Sequence, residues 1–273
     1  MKTRFLQRLL FFIALLVLFI IVLRNFRLKN EEKPALPPES SFTFAVISDI
    51  HSDINSLQAT VDKARTDGVQ FIIATGDLTM LGKIEELKKV KTALDKTSIP
   101  YYVIPGNHDL WSVKGGSKPY REVFGADYMS FSKDGVKFIL INNGDGVVGI
   151  DEKQSRWLRE ELASCPKIYC LVFAHMPLNH SFLAHIMGED STKVASQAAN
   201  LVKELVDNKV QELFAGHIHF LSSYELDGLL TNTVGAVYTD KGTVDSRFLE
   251  VKVNIPDITL SKKEIWLTVT PGS

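Results

Sequence analysis

Short apolar runs and amphipathic stretches alternate along the chain from residue 42 onward. Five runs of four to seven residues are rich in Val, Ile and Phe, which predicts buried strands at 42–47, 69–74, 101–104, 168–174 and 210–215. Four stretches place apolar residues three or four positions apart, which predicts helices at 56–67, 83–94, 152–163 and 192–207. Strands that alternate with helices are typical of an α/β domain with parallel strands.

Two further parts of the chain predict antiparallel strands. Residues 128–132 and 136–141 flank Lys133-Asp134-Gly135, a turn signal that predicts a hairpin. The tail at 220–269 alternates apolar and polar positions and contains turn signals, so we expect antiparallel strands there as well.

The N-terminal segment differs in kind from the rest of the chain. Residues 5–23 are almost wholly apolar, interrupted by Gln7 and Arg8, and a helix of this length spans about 28 Å, close to the thickness of a bilayer core. We therefore predict a membrane anchor at 1–29, a proline-containing linker at 30–41 and a globular domain at 42–273. A cleavable signal peptide is one alternative, although the run is long for one and no small-residue cleavage pattern follows. A buried helix of the domain is another, against which the uniform hydrophobicity argues.

Basic residues flank the apolar segment on both sides, so the positive-inside rule does not decide its orientation. They are Lys2, Arg4 and Arg8 on one side and Arg24, Arg27, Lys29 and Lys33 on the other. The similarity of the N-terminus to a secretory signal favours a single-pass protein of the cell membrane whose domain lies outside the cytoplasm.

Composition narrows the classes of partner. The chain has 273 residues, 45% of them hydrophobic, and a formal net charge of -1. Such a chain buries a substantial core and presents no global electrostatic field that would attract nucleic acid. We therefore expect no specific nucleic-acid binding, and the oligomeric state stays open.

The two cysteines, Cys165 and Cys170, do not have the Cys-x-x-Cys spacing of a redox motif. Cys170 lies in an apolar run and is expected to be a buried, inert thiol, although a bridge to Cys165 could form outside the cytosol.

The predicted strands end in side chains that bind metals. In open α/β sheets a ligand binds outside the carboxyl ends of the strands, so chain order brings these side chains to one place. Oxygen and nitrogen ligands of these kinds suit divalent metals. Taken alone, residues 105–109 fit a turn equally well. The strand ends carry Asp49, His51, Asp77, Asn107, His108, Asp109, His175, His217 and His219.

The spacing within the motifs supports a shared site. Residues two apart on an extended segment point to the same side, so Asp49 and His51 can address one site, as can His217 and His219. The whole set is too large for one tetrahedral metal, which favours two metal ions.

Together these motifs resemble those of the calcineurin-like metallophosphoesterase superfamily. They occur in the order of the family as Asp49-Ile50-His51, Gly76-Asp77, Gly106-Asn107-His108-Asp109, His175 and Gly216-His217-Ile218-His219. The resemblance covers residues 42 to about 220, and it implies a four-layer α/β/β/α sandwich of two mixed β-sheets flanked by helices, with the tail in the second sheet. It also implies two metal sites that share Asp77. One would be held by Asp49, His51, Asp77 and His219, and the other by Asp77, Asn107, His175 and His217.

The resemblance implies a dinuclear-metal-dependent phosphoester hydrolase, either a phosphodiesterase or a phosphatase. A metal-bridging hydroxide would attack phosphorus in line with the leaving group, and Mn, Fe and Zn all suit the ligands. His108 would donate a proton to the leaving oxygen, while Asp109 would either orient His108 or accept hydrogen bonds within a turn. One alternative is a module that binds phosphate through its metals without turnover. Another is a hydrolase that acts on a different bond.

The substrate stays open between a nucleotide, a lipid-linked phosphate, a phosphoprotein and a cell-wall phosphodiester. The predicted anchor favours a substrate near the membrane, although a tethered enzyme that acts on a soluble substrate is an alternative. Trp111, Tyr120 and Phe124 follow the metal-bearing strands, where they would either stack on a base or pack in the core of the loops. His180 and His185 are candidates for the wall of the pocket.

Overall fold

The computed structural model describes residues 40–111, 116–239 and 245–268. The predicted membrane anchor at 1–29 and all but the last two residues of the linker at 30–41 lie outside the described residues. Within the described ranges, no helix is long and apolar enough to cross a membrane.

The described residues contain eleven strands and six α-helices. The strands are β1 Ser40–Ile47, β2 Phe71–Ala74, β3 Tyr101–Val103, β4 Met129–Lys133, β5 Val136–Leu140, β6 Tyr169–Ala174, β7 Glu212–Ala215, β8 Ser222–Leu226, β9 Leu229–Thr233, β10 Ser246–Ile255 and β11 Thr259–Leu267. The helices are α1 Ile54–Thr66, α2 Ile84–Asp95, α3 Asn107–Leu110, α4 Lys118–Phe124, α5 Glu152–Leu162 and α6 Thr192–Asp207. The nine strands and helices predicted by the alternating pattern and the predicted hairpin are confirmed. The short helices α3 and α4 were not predicted.

Local hydrogen bonds explain where predicted and observed boundaries differ. Helix α1 begins earlier than predicted because Asp53 caps it, accepting a hydrogen bond from the backbone N–H of Ser56 at 3.0 Å. Strand β2 begins later because the backbone N–H of Val69 donates to the carbonyl of Ala64 and so belongs to the turn after α1.

The strands form two mixed sheets. The first has the order β11-β10-β1-β2-β3, and the second has the order β4-β5-β6-β7-β9-β8. Strands β1, β2 and β3 run parallel to one another, as do β5, β6, β7 and β9. Because parallel neighbours need crossover connections, the carboxyl ends of these strands lie together at one edge of each sheet.

An aromatic core lies between the two sheets. The Phe44 ring is fully buried and stacks on Phe71 of its own sheet, with ring centroids 5.2 Å apart. Across the interface it meets Phe138, Phe173 and Phe214 edge to face. The two sheets are therefore joined by large aromatic side chains, each of which removes much apolar area from water.

Helices cover the outer faces. Side chains alternate between the faces of a strand, so Ala45 and Ile47 of β1 point away from the aromatic core and pack with apolar residues of α1 and α2. On the second sheet, Val172 of β6 packs in the same way with residues of α5 and α6. The predicted α/β/β/α arrangement of two mixed sheets with flanking helices is confirmed.

The tail departs from the prediction that it belongs to the second sheet. Strands β8 and β9 do join that sheet, but β10 and β11 join the first, where β10 lies beside β1. The physical reason lies in β10, since Phe248 packs on the helix side and Leu249 packs in the core between the sheets. A strand with apolar residues on both faces requires a place that is covered on both sides.

The two cysteines form a disulfide, so the prediction of an inert free thiol at Cys170 is wrong. The Cα atoms of Cys165 and Cys170 lie 5.4 Å apart, and both residues are buried. The bridge links a short 3₁₀ turn to β6 and so ties the end of α5 to the second sheet.

Breaking this disulfide is expected to lower the free energy of unfolding. Closing a loop of this length restricts the unfolded chain, which is worth about 2 kcal/mol in the chain-entropy model. We expect thiol titration of the denatured, unreduced protein to find no free thiol, and denaturant unfolding with and without reductant to differ by this amount. The Cys165→Ala/Cys170→Ala variant is the control, since reductant should leave its stability unchanged. Two free thiols in the unreduced protein would contradict the assignment.

Candidate metal centre

The register of the parallel strands aligns the ends from which the candidate ligands follow. In the first sheet Ile47 lies opposite Ala74, and Ala74 lies opposite Val103. In the second sheet Ala174 lies opposite Ala215. The next few residues of each strand therefore meet above the core, and all seven predicted metal ligands are brought together there.

The backbone at these strand ends is unusual. Five of the candidate ligands have φ between +47° and +71°, and they are Asp49, His51, Asp77, His217 and His219. Residues other than glycine rarely adopt this left-handed region, at a cost of roughly 1–3 kcal/mol each. The surrounding loops hold it in place, since the N–H of His51 donates to the carbonyl of Asp77 at 2.9 Å and the N–H of His217 donates to the Asp49 carboxylate at 3.0 Å.

One group of ligands is formed by Asp49, His51 and His219, whose ligand atoms lie within 4.8 Å of one another. The Nε2 atoms of His51 and His219 are 3.4 Å apart, and Nε2 of His219 is 3.4 Å from the Asp49 carboxylate. Asp49 is fully buried, whereas the side chain of His219 is 47% exposed. This group therefore faces solvent on one side only.

A second group is formed by Asp77, His175 and His217. Nε2 of His175 lies 3.3 Å from Asp77, 3.2 Å from Nδ1 of His217 and 2.9 Å from the amide oxygen of Asn107. Asp77 also lies 3.8 Å from Nε2 of His51. The Asp77 carboxylate consequently adjoins both groups, where the resemblance places the shared ligand.

The donors present fit divalent metal ions. Nδ1 of His175 lies 2.9 Å from the carbonyl of Thr75 and donates to it, which leaves Nε2 free as a ligand, the arrangement usual for metal-binding histidines. The backbone is drawn close around the site, because a Cβ on Gly106 would stand 2.2 Å from the Asp77 carboxylate. Only glycine leaves room for that carboxylate.

Charge in the site favours a cation between the two carboxylates. Burial would lower the pKa of His175, but Asp77 and Asp49 outweigh burial and raise that pKa to about 9. Burial also lowers the pKa of His217 to about 3, and positive charge on His175 and His185 adds to this effect. The carboxylates thus favour a proton on Nε2 of His175, and a cation bound there would take the place of that proton, while His217 stays neutral, as a metal ligand must.

His108 lies beside the two groups with its ring fixed on both sides. Nδ1 donates to the carbonyl of Met80 at 2.8 Å, and the ring contacts Trp111 in a tilted arrangement, with centroids 3.8 Å apart. Nε2 faces the site, 3.9 Å from the Asp77 carboxylate. The side chain is 21% exposed, so Nε2 can be reached from solvent.

Asp109 does not orient His108. Of the two roles left open by the sequence, the structure favours the one in which Asp109 accepts hydrogen bonds that stabilise the turn. Its buried carboxylate accepts four hydrogen bonds, from the N–H of Gly106, the N–H of Leu78, and the N–H and hydroxyl of Thr79, at 2.7–3.0 Å. Burial, with the nearby charge of Asp77, raises the pKa of this carboxyl to about 6. Asp109 therefore ties the Asn107 loop to the loop that carries Asp77.

Replacing this carboxylate by an amide should loosen the loop. In Asp109→Asn, the amide nitrogen faces donors where an oxygen had accepted two hydrogen bonds, so the free energy of unfolding should fall by about 2–4 kcal/mol. Denaturant unfolding measures this loss. Asp134→Asn in the exposed hairpin turn is the matched control and should change stability little. Equal stabilities of the two variants would exclude the proposed tie.

Asn143 is a buried supporting residue that the sequence analysis missed. Its amide oxygen accepts hydrogen bonds from the N–H groups of His175 and Met176, and its amide nitrogen donates to the carbonyl of Met176. The signal was present, because β5 also ends in polar residues, Asn142 and Asn143, like the strands that bear the ligands.

A groove in two lobes opens over the ligands. One lobe has a volume of about 450 Å³ and is lined by Asp77 and His108, and the other has about 540 Å³ and extends past Gly144. Both are lined by Asn107, Trp111, His185 and His217. Among the described residues that line either lobe there is no lysine or arginine.

The remaining aromatic and histidine candidates divide between site and core. Tyr120 is fully buried and stacks on Phe124, so both belong to the core of the loops. Trp111 is 59% exposed and lines the groove. His185 also lines the groove and stacks on His217 at 3.9 Å, whereas His180 packs against Phe182 and Tyr224 outside it.

Comparison with known proteins agrees with this geometry. Residues 42–221 match the family model of calcineurin-like phosphoesterases. Serine/threonine-protein phosphatase CPPED1 of Homo sapiens is 31% identical over 172 residues, which are 55% of this chain and 53% of that protein. Probable glycerophosphodiester phosphodiesterase GpdQ of Arcobacter nitrofigilis is 27% identical over 159 residues, which are 56% of this chain and 58% of that protein. The chain thus spans a little over half the length of these relatives.

A solved structure shares the fold. Purple acid phosphatase PPD1 from yellow lupin superposes with a TM-score of 0.61 at 16% identity, covering 82% of this chain and 52% of that one. The family match extends over more than half of this chain and ends just after the last ligand motif. The chain therefore belongs to the calcineurin-like phosphoesterase family, whose members are metal-dependent phosphoester hydrolases.

Proposed function

We propose that this protein hydrolyses phosphate esters with two divalent metal ions. The observation that carries the proposal is the cluster of overlapping ligand groups around the buried Asp77 carboxylate, which include Asp49, His51 and His219 on one side and His175 and His217 on the other, with His108 completing a third group with His51 and Asp77. Asp49, His51, Asp77 and His219 would hold one ion, and Asp77, Asn107, His175 and His217 the other. Mn, Fe and Zn all suit these mixed oxygen and nitrogen ligands.

The protein's own groups define the rest of the mechanism. When bound, the cations supply the charge that holds the phosphate oxygens and activates the attacking water. The loops after β1, β2, β3, β6 and β7 hold the ligands rigidly, so an ester bound in the groove is presented for displacement in line with its leaving group. His219 lines the groove and its side chain is half exposed, so the ligands there are accessible to water.

His108 is proposed to protonate the leaving oxygen. Because its Nδ1–H is donated to the carbonyl of Met80, the proton to be transferred must reside on Nε2, which faces the ligands. The contact with Trp111 supports this orientation of the ring. A positioned general acid of this kind accelerates the reaction by roughly 10²–10⁴-fold when the leaving group is poor.

The class of ester is proposed from the relatives and from the groove. One relative is named as a phosphatase and another as a phosphodiesterase, so both ester classes are candidates here. The second lobe, about 540 Å³, leaves room for a substituent on the far side of the phosphate from His108. We therefore propose activity on diesters as well as monoesters.

The proposed location is a membrane surface outside the cytoplasm. The disulfide between Cys165 and Cys170 supports an oxidising compartment. The apolar segment at 5–23 supports single-pass anchoring, with residues 1–29 as anchor, 30–41 as linker and 42–273 as the catalytic domain.

Turnover should depend on Asp77. We expect the full chain loaded with Mn²⁺ to hydrolyse 4-nitrophenyl phosphate or bis(4-nitrophenyl) phosphate, and Asp77→Asn to lose more than about 100-fold in kcat/KM together with bound metal. Asp134→Asn is again the matched control and should keep full activity. Metal bound in the wild-type protein with no turnover of either ester would favour a phosphate-binding module instead.

The role of His108 should appear as a dependence on the leaving group. His108→Ala should slow hydrolysis of an alkyl phosphate by about 10²-fold or more and slow the 4-nitrophenyl ester much less, because 4-nitrophenolate leaves without a proton. Metal content measured alongside should be unchanged. An equal loss on both esters would exclude a role as general acid.

A further inference from the structure

Large apolar side chains are exposed around the groove. Ten large hydrophobic residues are exposed among the described residues, and eight of them lie in the loops that follow β2, β3, β5, β6 and β7. Each of these loops contributes at least one, and we name the set Leu81, Trp111, Val147, Phe182 and Phe220 the apolar rim. Phe182 is 85% exposed and Val147 is 79% exposed.

Three members of the apolar rim line the groove of the proposed active site, and the other two, Leu81 and Phe182, lie in loops that follow the same edge of the sheets. Trp111 and Val147 line one lobe of the groove, and Trp111 and Phe220 line the other. Phe182 precedes Leu183, which lines the lobe that contains Phe220. Single exposed apolar residues are ordinary on protein surfaces, but their concentration at one site marks a surface that contacts apolar material.

The rest of the chain indicates what that material is. The apolar segment at 5–23 is long enough to cross a bilayer, and sixteen residues, 24–39, connect it to β1. Fully extended, sixteen residues reach at most about 55 Å, whereas the eight residues of β1 extend about 26 Å from its start to the ligand end. The connection is therefore long enough for the groove to reach the lipid surface that holds the segment.

The charges of the groove indicate the mode of contact. Asp145, Glu189 and Asp190 line the lobe of about 540 Å³, and their negative charge would oppose an approach to anionic lipid. Insertion of apolar side chains into the interface requires no net lipid charge.

We propose that the apolar rim inserts into a lipid surface and that the substrate is an amphiphile of that surface. Its phosphate head enters the groove while its hydrocarbon chains stay in the bilayer. This inference rests on the proposed phosphoester hydrolysis and names the substrate class for that same site.

Contact of the rim with lipid can be measured without any substrate. The full chain is reconstituted in phosphatidylcholine vesicles with brominated acyl chains, which quench tryptophan fluorescence on contact. We expect quenching that is largely lost in Trp111→Phe and retained in Trp266→Phe, and little affected by salt. Equal quenching in wild type and Trp111→Phe would overturn the proposal. So would a dimer, seen by light scattering, whose contact shields Trp111 from the lipid.

A matched pair of variants tests the substrate class. Phe182 and Ile168 are exposed apolar residues that flank opposite ends of β6, and neither lines the groove. Phe182→Ser should slow hydrolysis of dioleoyl phosphatidic acid or dioleoyl phosphatidylethanolamine in vesicles by about tenfold. It should leave the dihexanoyl forms and bis(4-nitrophenyl) phosphate unchanged. Ile168→Ser should change none of these rates.

The outcomes separate the two proposals. Turnover of the soluble esters with no turnover of the long-chain lipids, or equal effects of Phe182→Ser and Ile168→Ser, overturns the lipid inference and leaves the hydrolase intact. Failure on every ester, with metal bound, contradicts the proposed function and the substrate class alike, while tryptophan quenching still decides whether the rim contacts lipid.

Discussion

A single buried carboxylate, Asp77, joins the two halves of the site. It lies 3.3 Å from His175 on one side and 3.8 Å from His51 on the other. Its own position depends on Asp109, which ties the loop after Asp77 to the loop of Asn107, and on Gly106, where any side chain would strike the carboxylate. The geometry that would hold two cations thus depends on the hydrogen bonds of Asp109, which is not itself one of the proposed ligands.

The arrangement is unfavourable in isolation. Five residues other than glycine adopt the left-handed backbone conformation, and two carboxylates are buried. Both features cost free energy. The sheets below it offset this cost, because an aromatic core joins them and parallel pairing fixes the strand ends in register. A rigid scaffold of this kind allows strained loops to persist, and divalent cations would neutralise the carboxylates that the loops bring together.

The surface around the ligands is more apolar than the groove that it borders. The groove carries histidines and acidic residues but, among the residues that the structure describes, no lysine or arginine, while its rim is apolar. Under the proposed function, the phosphate would bind at the metal ligands in the centre of the site. An apolar approach to a polar centre matches a substrate that has both characters, and this is the physical basis of the lipid proposal.

The sequence by itself determined the alternation of strands and helices and the residues at the strand ends, because burial periodicity and the carboxyl-end rule act locally along the chain. It also contained a signal for Asn143 that went unused. Tertiary structure alone decided the role of Asp109, since three of the four donors that meet its carboxylate come from Leu78 and Thr79, about 30 residues away along the chain. It likewise separated Trp111 from the buried Tyr120, placed β10 beside β1, and paired Cys165 with Cys170. Each of these depends on which segments become neighbours in space, and residue spacing does not specify that.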